Sequence, residues 1–146
     1  MLRKFDPKEF NSIEITDLDL KSRIYADYKL FALGFNDNRS LKEKFGYGNG
    51  WIWEYIRREL PNRSILSGPQ AFEEYKKQWP TDLIYIDDAG PETSTISTIT
   101  IGKDEGLPDI SMFQSGDYTI AHKNFKWALV RTHEESQLGP YFITKK

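Results

Sequence analysis

The spacing of hydrophobic positions changes about halfway along the chain. The first half recurs in steps of three and four, and the second half in short runs and alternation. Thr16-Asp17-Leu18-Asp19 reads as a helix start, with a capping pair and acids in the first turn. Leu20, Ile24, Tyr28 and Phe31 then fall on one helical face, and Gly34 is the expected stop. Asn36 to Gly50 is polar and ends in Gly46, Gly48 and Gly50, with a short helical turn expected over Leu41–Phe45. Ile52, Tyr55, Ile56 and Leu60 predict a second helix over 51–60, ended by Pro61. The β-prone start Trp51-Ile52-Trp53 keeps a strand reading open there. Ser67-Gly68-Pro69 predicts the start of a third helix carrying Phe72, Tyr75 and Trp79, closed by Pro80.

Beyond Pro80 the pattern becomes that of strands. Asp82–Ile86 is a short apolar run, and Thr93–Ile101 is rich in Thr and Ile. Ala89-Gly90-Pro91 lies between them as a turn. Tyr118–His122, Phe125–Thr132 and Tyr141–Thr144 predict three more strands, the last two joined by the polar loop Glu134–Gly139. Helices in the first half and strands in the second predict an α+β class. N-terminal helices then pack on one face of a mostly antiparallel C-terminal sheet. No repeat or linker divides the sequence, so residues 1–146 are read as a single domain.

Composition supports a folded core. Four Trp, eight Tyr and nine Phe supply large apolar area, and net charge is only −2, so disorder is excluded. The chain has no cysteine, which removes disulfides, thiolate metal sites and Cys nucleophiles. The start, Met1-Leu2-Arg3-Lys4-Phe5-Asp6, has no apolar leader segment, and no apolar run is long enough to span a membrane. A cytoplasmic location is therefore expected, without membrane or nucleic-acid partners.

Charge is unevenly distributed. The window 82–117 carries Asp82, Asp87, Asp88, Glu92, Asp104, Glu105, Asp109 and Asp117 against Lys103 alone, a net of −7. One use of such a window is solubility. The other is steering toward a basic partner, with exposed aromatics such as Tyr47, Trp51 and Trp53 as contact anchors. Arg57, Arg58 and Arg63 are interleaved with acids and read as a solvated face.

Familiar catalytic and phosphate motifs are incomplete. Gly46-Tyr47-Gly48-Asn49-Gly50 lacks the Lys-Ser/Thr of a phosphate loop and reads as a flexible turn, the alternative being an exposed loop that presents Tyr47 and Trp51 to a partner. His133-Glu134-Glu135 begins like a zincin helix, but Gln137 stands where the second zinc-binding histidine belongs. Asp87-Asp88 follows a strand, where carboxylates can hold Mg²⁺, but neighbours on a strand point to opposite faces. No Gly-x-Ser-x-Gly is present, and Ser67-Gly68-Pro69 reads as a helix cap. No metal or cofactor is expected.

The string from Trp127 to Phe142 resembles the ending of a small uncharacterised bacterial family. The likeness rests on Thr132, His133 and Glu134 followed by Gly139, Pro140, Tyr141 and Phe142. The general profile also resembles bacterial toxin-immunity proteins. That resemblance implies a non-enzymatic binding protein, an immunity protein that neutralises a basic toxin domain through the acidic window. The alternative expectation is a small hydrolase or metal-dependent enzyme using His122, His133 and Glu134. A third reading makes Thr132–Phe142 structural, with Tyr141 and Phe142 in the core.

Overall fold

The structure is a computed structural model that describes residues 2–35, 40–56, 60–89, 93–135 and 138–145. Among these residues one sheet of seven strands carries the fold, in the order β1-β4-β3-β5-β6-β7-β2. The strands are β1 (Ser12–Glu14), β2 (Arg63–Ser67), β3 (Leu83–Asp87), β4 (Thr95–Ile99), β5 (Tyr118–His122), β6 (Trp127–Val130) and β7 (Tyr141–Lys145). Every pairing between them is antiparallel. The five strands expected from the sequence are all present. The edge strands β1 and β2 were not expected.

Alternation along the strands sorts side chains onto two faces. One face presents Ile84, Ile86, Ile96, Ala121, Ala128, Val130 and Ile143 to α1 (Leu18–Leu33) and α2 (Leu41–Phe45). The other presents Leu83, Tyr85, Tyr118, Ile120, Trp127, Leu129 and Phe142. Ala71 and Tyr75 of α3 (Pro69–Lys76) pack there, together with Phe5, Ile110 and Phe113. The α+β class thus holds with α1 on one face as expected, while α3 covers the opposite face.

Local chemistry sets the helix ends. The Asp17 carboxylate accepts from the N–H groups of Asp19 and Leu20 at 2.9 and 3.2 Å. Gly34 ends α1 at φ +85°, its N–H donating to Leu30 O. Tyr28 and Phe31 are buried as expected, but Leu20 is exposed and Ile24 only half-buried. The helix meets the sheet from its second turn onward.

Two expectations are corrected. The helix expected over 51–60 is a single 3-10 turn, Ile52–Tyr55, and Ile56 returns to extended backbone. Bulky Trp51, Ile52 and Trp53 are weak helix formers, and residues 57–59 lie outside the described residues. Trp79 does not extend the face of α3. The helix ends at Lys76, and Trp79 is 88% exposed. Pro80 disfavours the helical conformation at Trp79 and turns the chain outward. The cap of α3 is Gly68 at φ +71°, with Pro69 in the first turn, while Ser67 ends β2.

Candidate functional site

The sheet has two ends. Asp87, Tyr118, Val130 and Tyr141 mark one, here called the top, and Leu83, His122, Trp127 and Lys145 mark the bottom. This division separates the acidic residues of the sequence. Asp87, Asp88 and Asp117 lie at the top, where the Asp88 N–H donates to Asp117 O at 3.0 Å. Asp82 is at the bottom, its carboxylate accepting from Ile101 N at 3.0 Å. Asp104 and Glu105 follow Ile101, and Glu105 accepts from Gly102 N at 2.9 Å. Asp109 caps the turn Ile110–Met112, its carboxylate accepting from Ser111 N at 3.2 Å. Glu92 lies outside the described residues.

Two of the proposed contact residues are internal. Asp88 is buried between α1 and the Ile52–Tyr55 turn. Its two oxygens accept from the Tyr25 hydroxyl at 3.0 Å and from Ile52 N at 2.7 Å. Burial and the Asp88 charge push the Tyr25 phenol well above its ordinary range. Trp53 is only 5% exposed, so neither side chain presents surface to a partner. Among the described residues its indole N–H makes no hydrogen bond.

The residues that do meet at the top centre on His133. Its backbone N–H donates to Asp117 Oδ1 at 3.0 Å, and its Nδ1 lies 2.9 Å from both Asp117 oxygens. The ring stands edge-on to Trp51 and Trp53, with centroids 5.2 and 5.4 Å away. Those two indoles are stacked on each other at 6.0 Å. His133 Nε2 is 3.5 Å from Glu134 Oε1, and the imidazole is 44% exposed. The hydrogen bond to Asp117 raises the His133 pKa, burial works against it, and the charges of Asp117, Glu134 and Glu54 add to the rise. The imidazole is therefore biased toward its charged form. A ring held this way offers an N–H donor and a positive charge more readily than a general base.

The Gly-rich loop supports this site and is not a free turn. Glu54 Oε1 accepts from Asn49 N at 2.8 Å and Trp51 N at 3.1 Å. The Tyr55 hydroxyl donates to Tyr47 O at 2.8 Å and accepts from Gly50 N at 3.2 Å. A Cβ at Gly48 would lie 2.5 Å from that hydroxyl, so only glycine fits. Tyr47 stays exposed at the rim.

The alternative site does not assemble. His122 and the His133–Asp117 pair lie at opposite ends of β5, about 17 Å apart at roughly 3.4 Å per residue. Burial lowers the His122 pKa, and Lys126 and Lys123 lower it further. His122 thus lies at the bottom end beside Lys123 and Lys126, and Lys123, Lys145 and Arg63 line a groove with Asp27.

The described residues on either side of 136–137 form a folded corner between β6 and β7. The Thr132 hydroxyl donates to Leu138 O at 2.6 Å and accepts from Glu134 N at 3.1 Å. Phe142 is buried, and Tyr141 is half-buried against the core. Arg131, which the sequence reading overlooked, anchors this corner. It makes a buried two-point pair with Glu135, and its Nη1 donates to Ile110 O, Phe113 O and the Tyr118 hydroxyl. An Arg–Glu spacing of four residues was visible in the sequence, but its burial was not.

No protein-family model, curated protein or solved structure matches this chain.

Proposed function

We propose that the chain is a binding protein whose top end receives a basic protein partner. The observation that carries this reading is the convergence of Asp117, Glu134 and Glu54 on one exposed imidazole seated against two tryptophans. Half-buried Trp51 supplies the apolar contact, exposed Tyr47 extends it, and Asp87 adds charge beside Asp117. Carboxylates around an aromatic centre attract a cationic surface and reject an acidic one. The surface is narrower than the acidic window. It draws Asp87 and Asp117 from that window and Glu54 and Glu134 from elsewhere. A toxin domain with a basic cleft is a partner class that fits this chemistry, and an immunity role would follow from occluding such a cleft.

The test is affinity capture from extracts of the source cells at about 50 mM and about 500 mM salt, where screening differs strongly. Wild type is compared with a Trp51→Ala/Asp117→Asn variant whose folding is checked by circular dichroism. The reading expects a basic protein held by wild type at low salt, released at high salt and lost by the variant. A captured set indifferent to salt and to both substitutions refutes it.

A further inference from the structure

A second site lies on the α3 side of the sheet, away from the tryptophan pair. There a cavity of about 780 Å³ opens between the sheet and the N-terminal segment. Its floor is formed by β3, β4 and β1, where the registers align Asp87 with Thr95 and Tyr85 with Ser97 and Glu14. The rest of this sheet face is apolar and covered, but these positions are polar and lie under a cavity.

The floor contains polar groups without protein partners. Tyr85 is 5% exposed and Ser97 3% exposed, and both line the cavity. Among the described residues neither hydroxyl makes a hydrogen bond, and the Asp87 carboxylate makes none and no ion pair. Buried polar groups are normally satisfied, so two buried hydroxyls left open under a cavity point to a ligand, while the exposed Asp87 carboxylate stands beside them at the end of β3. Burial raises the Asp87 pKa, Lys4 opposes the rise and Asp117 adds to it. A hydrogen-bond donor reaching this carboxylate offsets that desolvation.

The wall is preformed. Phe5 stacks on Tyr85 with centroids 5.4 Å apart, and Arg3 pairs with Glu9 at 2.6 Å. Asp6 caps the turn Pro7–Glu9, and the Ser12 hydroxyl donates to Pro7 O at 2.7 Å. Arg3 O also accepts from Gln114 N at 2.9 Å, tying the segment to the body of the protein.

We infer that this cavity binds a neutral polyhydroxylated ligand of one or two sugar rings. Charge decides the class. The lining carries both cations and carboxylates in nearly equal number, so a charged ligand meets repulsion from one set. A polyol instead donates to Asp87 and Glu14 and accepts from Tyr85, Ser97 and the wall lysines. The volume falls within the ordinary range for small-molecule sites, roughly 300–1,000 Å³.

The experiment uses saturation-transfer NMR on the full chain with glucose, galactose, mannose, maltose and cellobiose. Glucosamine and glucose 6-phosphate serve as charged controls. The inference expects at least one neutral sugar to bind in preference to its charged analogues. Tyr85→Phe and Ser97→Ala, which leave the fold intact by denaturation, then weaken that sugar about three- to tenfold each, the loss of one hydrogen bond. Absence of binding by all five neutral sugars overturns the inference. So does preference for a charged control, or binding that both substitutions leave unchanged. The two readings share Asp87, but the top-end reading is tested separately, because Trp51, Asp117 and His133 do not line this cavity and Tyr85 and Ser97 take no part in the top-end surface.

Discussion

Replacing Asp88 with alanine tests how the top end is held. The carboxylate clamps α1 to the Ile52–Tyr55 turn through Tyr25 and Ile52 N. Alanine strands both donors in a buried site, and each stranded group costs about 1–3 kcal/mol. Relief from burying a charge offsets part of this, leaving a net loss of about 2–5 kcal/mol. At about 2–4 °C per kcal/mol for a chain of this size, Tm falls by roughly 5–15 °C. Tyr25→Phe removes one donor and leaves Ile52 N satisfied, so its cost is smaller, about 1–2 kcal/mol. Urea unfolding followed by circular dichroism measures both. A loss below about 0.5 kcal/mol for Asp88→Ala, or equal losses for the two variants, refutes the clamp.

The two histidines are expected to titrate apart by NMR, His133 above the ordinary value of 6.5 and His122 below it. Asp117→Asn should bring His133 down. Because the folded pKa of His133 is raised, its stabilisation is complete below pH 6.5 and fades as pH rises through the folded value. Glu135→Ala leaves the buried Arg131 guanidinium without its counter-charge and is expected to cost about 3–5 kcal/mol in urea unfolding. Gly48→Ala places a Cβ against the Tyr55 hydroxyl at φ +84° and is expected to cost about 2 kcal/mol or more. The same variant should change Trp fluorescence as the loop moves off the Ile52–Tyr55 turn.

Local signals in the sequence located what local chemistry determines. Asp17 and Gly34 bound α1, and the runs at Leu83, Tyr118, Trp127 and Tyr141 are strands. The edge strands escaped for a physical reason. β2 is half-buried throughout and β1 spans three residues, so neither shows clear alternation. The parting of Asp87 and Asp88 was implicit in strand geometry, and burial of the second follows from it. The top-end site was not legible as a unit. Trp51, Trp53, Asp117 and His133 come from separate stretches of chain: the antiparallel pairing of β5 with β6 brings Asp117 to His133, and the bond from Ile52 N to Asp88 holds the turn that carries the two tryptophans. Steering by the whole window 82–117 was also beyond the sequence, because strand direction sends Asp82 and Asp117 to opposite ends.

The central claim is that the top end recognises a basic partner through Trp51 and its ring of carboxylates. The most direct test is the association rate with the captured partner, measured by stopped-flow Trp fluorescence across ionic strength. The account predicts a rate that falls about tenfold or more between about 0.05 and 0.5 M salt. It also predicts a slower association for Asp117→Asn/Glu134→Gln at low salt. A rate independent of salt and unchanged in that variant contradicts the account.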